Sequence, residues 1–253
     1  MYKNTIVKIP GETYVNGLTT SNLGRPELAK ALEQHKAYIR ALEKCGTKVT
    51  VLPDNIEFPD STFVEDTAVL TSKFAVISNP GALSRNGEIH DMEPVIKSFY
   101  ETIYYIKAPG TLDGGDILQI EEHFYIGVSA RTNLEGARQL KQIFEYEGYK
   151  ATIIHLEKFF HLKTGIAYLG DQTIVVAGEF IDHPDFKSYK KIIVPREEEY
   201  AANCVHVNDY VIIPAGNPVT KQKINEAGYQ TIELEMSEFR KLDGGLSCLS
   251  LRF

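Results

Sequence analysis

Cysteine is scarce in this chain, and its scarcity narrows the chemistry. The three cysteines, Cys45, Cys204 and Cys248, are spread over 253 residues, too far apart for a Cys-x-x-Cys metal site and too few for a disulfide framework. Long apolar runs are also missing. No stretch approaches the roughly 20 residues needed to cross a bilayer, and the opening MYKNTIVKIPGETYVNGL lacks the continuous apolar core of a signal peptide. A cytoplasmic protein without membrane contact is the expectation. Positive charge is in deficit: the net charge is −7 and the pI near 5.6. That balance argues against a nucleic-acid binder, which must neutralise phosphates. Ser/Gly-rich and Pro-rich linkers are absent too, so residues 1–253 read as one domain with a sizeable core.

What the chain does have is patterning. In PELAKALEQHKAYIRALEKCG, Leu28, Leu32, Ile39 and Leu42 recur at helical spacing between Pro26 and a stop at Gly46. In TNLEGARQLKQIFEYEGY, Thr132 and Glu135 have capping-box spacing, Leu134, Ala137, Leu140 and Phe144 form the apolar stripe, and Gly148 ends it. Four segments read as hairpins, each two β-rich runs around a polar turn: DTAVLTSKFAVIS, GDILQIEEHFYIGV, GIAYLGDQTIVVA and NCVHVNDYVIIPA. They recur every 40–50 residues or so, which suggests internal repetition and a radial or closed architecture; a doubly wound α/β sheet is the rival. NTIVKIP and SCLSLRF are single strand-like runs at the two ends. Paired with each other they would make a fifth unit and bring Cys248 to the centre. Strand alternation there puts Leu249, Leu251 and Phe253 on one face, and Cys248 with Ser250 and Arg252 on the other.

Polar clusters sit at the element boundaries. In EFPDSTFVEDTAV, Asp60, Glu65 and Asp66 crowd one segment, a like-charge cost that a cation would offset, and an organic cation fits as well as a metal. TLDGGDILQI sets Asp113 and Asp116 around a Gly pair that permits a tight turn or close approach, without the spacing or lysine of a phosphate loop. His161, in FFHLKTGIAYL, leads into a strand; Cys204 and His206 form a second, less convincing thiol–imidazole pair, since side chains two apart diverge. Arg85 and Arg131 each follow a strand, where a guanidinium fork can take a carboxylate. A thiol, an imidazole, acids and arginines together describe a pocket for an amino acid with a guanidinium side chain.

The segments NGLTTSNLG, FPDSTFVEDTAV, LDGGDIL, ARTNLEGA, HLKTGIAYL, YAANCVHVN and DGGLSCLSLRF carry a resemblance over essentially the whole chain. Their order and spacing are similar to those of bacterial dimethylarginine dimethylaminohydrolases, of the guanidine-modifying pentein superfamily. The resemblance implies an α/β fold, a five-bladed propeller with pseudo-fivefold repeats around a central active site. It implies hydrolysis of methylated arginine to citrulline and a methylamine, with neither metal nor organic cofactor, by a homodimer. It makes Cys248 the nucleophile, His161 the general acid and then base, and Asp113 the acid that orients it, where some bacterial members carry Glu. It sets Asp60, Glu65 and Asp66 around the guanidinium with Phe63 as a pocket aromatic, Arg85 and Arg131 on the substrate carboxylate, and Leu18 on a mobile flap. Arginine deiminase is the nearest alternative, disfavoured because Lys163 stands where those enzymes resemble this chain but carry an aspartate. An agmatine-type hydrolase, with no carboxylate for the arginines, and a non-enzymatic pentein are more remote.

Overall fold

The first and last strands of the chain lie side by side. In the computed structural model, which describes residues 1–253, Asn4–Lys8 pairs antiparallel with Leu251–Arg252, placing Thr5 opposite Arg252 and Ile6 opposite Leu251. The Phe253 carbonyl also accepts from the N–H groups of Lys3 and Asn4. The two single runs thus make a hairpin across the chain ends, and the ring closes.

The four other hairpins form where the alternating runs predict them. They pair Ala68–Leu70 with Ala75–Ile77, Ile117–Ile120 with His123–Val128, Ile166–Gly170 with Thr173–Val176, and Val205–Val207 with Tyr210–Pro214. Non-glycine residues with positive φ make several of the turns, at Glu121, Asp171, Gln172 and Asn208, a geometry that suits two-residue hairpin loops. The result is five separate sheets of three strands each. The third strand in each is parallel to its neighbour: Lys48–Leu52, Ile103–Tyr105, Lys150–His155, Lys190–Ile193 and Gln230–Leu234. A parallel strand needs a crossover. Helices Leu28–Lys44, Ile89–Lys97, Leu134–Tyr146 and Pro218–Glu226 supply four of the crossovers, and the short 3-10 turns Gly178–Phe180 and Pro184–Phe186 supply the other.

Residues from the first strand of all five hairpins, among them Ala68, Leu118, Ala167, Val205 and Leu251, line one cavity of about 650 Å³. These strands therefore surround a common axis, and the architecture is an α/β propeller rather than a doubly wound sheet. Blade interiors are apolar; Phe74, Phe124, Phe144 and Tyr149, for example, pack as stacked and edge-on rings.

Three details differ from the sequence expectation. The helix Leu28–Lys44 buries Ala31, Gln34, His35, Tyr38, Ala41 and Leu42, while Leu28, Leu32 and Ile39 are only half-buried flanks. In Leu134–Tyr146 the cap is Asn133, whose side chain accepts from the Gly136 N–H at 2.8 Å, so Thr132 does not form the capping box. Cys248 lies in a 3-10 turn, Ser247–Leu249, and the strand begins only at Leu251. Alternation therefore does not decide which way its thiol faces.

Candidate active site

The site is assembled by repetition. In four blades a short helical turn immediately precedes the axial strand: Val64–Thr67, Gly114–Asp116, Leu162–Gly165 and Ser247–Leu249. These turns contact one another at one end of the axis and carry, in them or at their edges, Asp66, Asp113, His161 and Cys248. The remaining blade brings Asn203 to the equivalent position, where its Oδ1 accepts from the Ser247 N–H at 2.9 Å. Asn203 escaped the sequence reading, and the fivefold spacing was the signal that could have found it.

His161 Nε2 lies 3.2 Å from Asp113 Oδ2, and Asp113 Oδ1 accepts from the Gly81 N–H at 2.8 Å. Both residues are buried, so the imidazole has one fixed carboxylate partner. Gly115 makes room for it: a Cβ there would sit 2.7 Å from His161 Nδ1. Asp66 accepts from the Gly115 N–H at 2.9 Å and from Arg85 at 2.6 Å. Cys248 Sγ accepts from the Gly245 N–H at 3.4 Å.

A cavity of about 250 Å³ opens over these groups. Leu18, Asp60, Phe63, Asp66, Arg85, Arg131, His161 and Cys248 all line it, as do Thr20, Phe160 and Asp243, which the sequence reading did not select. Leu18 sits above it with its N–H donating to Asp60 Oδ1 at 2.9 Å. The same loop is tied across the mouth where the Thr20 hydroxyl donates to Asp243 at 3.0 Å. Asp113 stands behind His161, outside the lining.

Two expected contacts turn out otherwise. Glu65 faces the larger axial cavity, where its carboxylate accepts from Lys163 at 2.6 Å, Ser247 Oγ at 2.8 Å and Arg252 at 3.2 Å. Two internal cations capture it, so it is unavailable to a guanidinium in the smaller cavity. Arg85 is not a free fork either. Its Nε and Nη2 bond Glu88 at 2.9 and 2.8 Å, Nη2 also reaches the Phe63 carbonyl at 3.0 Å, and Nη1 binds Asp66. Only one of the five N–H groups of this guanidinium is left for the pocket. Arg131 is the reverse case: half-buried, its guanidinium stacks over the Phe160 ring at 5.0 Å and has no carboxylate partner. Cys204 lies away from this constellation, with its thiol pushed up to about 12 by burial; His206 lines the larger cavity.

The charges define the resting state. Burial alone would lower His161, but Asp116, Asp66 and Asp113 outweigh it and raise the imidazole to about 9, so it is protonated at neutral pH. Burial would raise Asp66, yet His161 and Arg85 hold its carboxyl well below the usual range. Cys248 is pushed up to about 12, first by burial and then by the negative charges of Glu65 and Asp66. The site thus pairs a neutral thiol with an imidazolium in the lining of one cavity. Asp66, Asp113 and His161 offer ligand atoms within 4.8 Å of one another, but Asp66 is already neutralised by Arg85 and the imidazole is protonated. That donor set suits charge relay better than a divalent ion.

A propeller with a thiol, an imidazole and buried acids at its axis defines the class of guanidine-modifying penteins. More particularly, the chain belongs to the dimethylarginine dimethylaminohydrolase family. The family model described as N,N dimethylarginine dimethylhydrolase, eukaryotic, matches residues 20–245. The chain is 52% identical over 254 residues to the N(G),N(G)-dimethylarginine dimethylaminohydrolase of Pseudomonas aeruginosa, covering 100% of both. It is 32% identical over 252 residues to the Streptomyces coelicolor enzyme of the same name, covering 99% of this chain and 96% of that one. The solved structure of a cysteine-to-serine mutant of the P. aeruginosa protein complexed with citrulline superposes with a TM-score of 0.99 at 51% identity, covering 100% of both chains.

Proposed function

We propose that residues 1–253 form one catalytic domain that hydrolyses Nω-methylated L-arginine to L-citrulline and a methylamine. The observation that carries this reading is that Cys248, His161 and Asp66 line one small cavity together with Asp60 and Arg131, the last of which has a guanidinium without a carboxylate partner. Adjacent opposite charges suit the ammonium and carboxylate of an α-amino acid, so Asp60 serves the amino-acid head rather than the guanidinium, and the arm of Arg85 buttresses Asp66 while offering one N–H to the carboxylate. A relative complexed with citrulline supports the choice of product.

The chemistry follows from the resting charges. A thiol at about 12 needs a positive neighbour, and the arriving guanidinium supplies it by favouring the thiolate as Cys248 releases its proton to solvent. The thiolate attacks the guanidinium carbon to give a tetrahedral adduct. His161, already protonated, gives its proton to the methylated nitrogen, which leaves as an amine and not as an unstable amide anion. The carbon remains bound to sulfur as a thiouronium. Neutral His161 then takes a proton from water as its oxygen attacks the same carbon; the C–S bond breaks, citrulline forms and the thiolate returns. Asp113 keeps the imidazole in place through both transfers.

Citrulline release from dimethylarginine, monomethylarginine and arginine, measured side by side with Cys248→Ser as control, tests the reading. Turnover of the methylated substrates that disappears in the variant is expected. Turnover of arginine alone would make the protein a deiminase.

A further inference from the structure

Asp116 is fully buried and touches no reacting atom in the steps above, yet both its oxygens are engaged by different parts of the site. Oδ1 accepts from the Leu162 N–H at 3.0 Å, the peptide group that follows His161. Oδ2 accepts from the Ser129 hydroxyl at 2.7 Å. The same hydroxyl accepts from the N–H groups of Arg131 at 3.0 Å and Thr132 at 3.1 Å. The Thr132 Oγ1 in turn accepts from the Asp113 N–H at 3.1 Å.

The direction of these bonds is fixed. Ser129 spends its one proton on Asp116 because its acceptor sites already serve two backbone N–H groups. Leu162 can only donate. Position 116 must therefore accept on both sides, which a carboxylate does and an amide cannot. Burying a carboxylate without a hydrogen-bonded cation costs stability, and what the fold gains is a rigid link between two loops.

We propose that Asp116 is a positioning residue that joins two parts of the substrate site, locking the peptide that carries His161 to the loop that carries Arg131. A carboxylate held by Arg131 then sets the distance from the guanidinium carbon to the imidazole. The inference rests on the methylarginine reading above.

Ser129→Ala cuts the link on the Arg131 side and leaves Asp116 bonded to Leu162; Asp116→Asn disturbs both sides. The readouts are kcat and KM for dimethylarginine, with the inhibition constant of its decarboxylated analogue, which has nothing for Arg131 to hold. For Ser129→Ala, KM should rise about tenfold, the size of one lost hydrogen bond, and kcat should fall as the guanidinium carbon loses its set distance from the imidazole, with the analogue's inhibition constant unchanged. Asp116→Asn should lower kcat as well as raise KM. If it does not fold, Ser129→Ala decides alone. Equal weakening of substrate and analogue in Ser129→Ala, or no weakening of either, overturns the coupling. A wild-type protein inactive on dimethylarginine overturns the functional reading and this inference with it.

Discussion

Glu65 and Asp66 are neighbours in the chain whose carboxylates serve different cavities. Asp66 lines the smaller one beside His161 and Cys248, and Glu65 lines the larger one, bound by Lys163 and Arg252. Ser247 and Cys248 divide in the same way. The axial turns therefore form a polar partition, with the reactive groups on one side and the ion pairs that brace them on the other.

Burial and charge in that partition together set the reactivity of the free thiol. Burial first, and then Glu65 and Asp66, disfavour the thiolate, so alkylation of Cys248 by iodoacetamide without substrate should be slower at neutral pH than that of an ordinary thiol with a pKa of about 8.5. Glu65→Gln removes one of the opposing charges and should lower the pKa, which speeds alkylation. A rate profile that already levels off below the ordinary thiol range would contradict this.

The two arginines should separate on substitution. Arg131→Ala removes an unpaired cation, so KM for the amino-acid substrate should rise while thermal stability holds. Arg85→Ala leaves Asp66 and Glu88 buried without their partner, and breaking a buried pair costs about 3–5 kcal/mol. A large drop in Tm is the expected result. Equal stability of the two variants would remove the distinction.

Gly115→Ala tests how tightly the imidazole is seated. Its Cβ would fall 2.7 Å from His161 Nδ1 and 3.1 Å from Asp66 Oδ1, so the ring must move. A displacement of that kind costs roughly 10²-fold in rate. A kcat within twofold or so of wild type would mean that the ring's position is not critical.

His161 also gives the fold a pH dependence. Its pKa is raised from 6.5 to about 9, so the stability it adds is fully present below the unfolded value and is lost as pH rises through about 9. Urea melts of wild type and His161→Gln should show the wild-type advantage at about pH 6 shrinking by about pH 9.5. An advantage that grows with pH would reverse the assignment of the imidazolium.

The sequence exposed the hairpins because each is an alternating run with a polar turn, and it exposed the ring because the two leftover runs had only each other. It hid the third strands, Ile103–Tyr105 among them, because each is a lone run reached by a crossover, with no second run across a short turn to complete a hairpin pattern. The shifted face of Leu28–Lys44 was hidden for another reason, since Gln34 and His35 are buried there and apolar spacing passes over polar residues. At the site, Cys248, His161, Asp113 and Asp66 converge as the motifs imply. Glu65 and Arg85 do not behave as free ligands because their partners, Lys163, Arg252 and Glu88, are chosen by folding and not by local sequence. Asn203 acts through a hydrogen bond to backbone, and only its place in the fivefold spacing marks it; Asp116 is marked by the Gly-pair turn, but its partners, the Leu162 N–H and the Ser129 hydroxyl, are brought to it by folding.

The central claim is that the carbon of a methylated guanidinium passes through a covalent bond to Cys248. Acid-quenching the protein during turnover of dimethylarginine and measuring its intact mass, followed by peptide mapping, tests this directly. The account predicts a substrate-derived adduct on the Cys248 peptide that is absent from Cys248→Ser. Citrulline formed at full rate by Cys248→Ser, or an adduct on Cys45 or Cys204 instead, would contradict it.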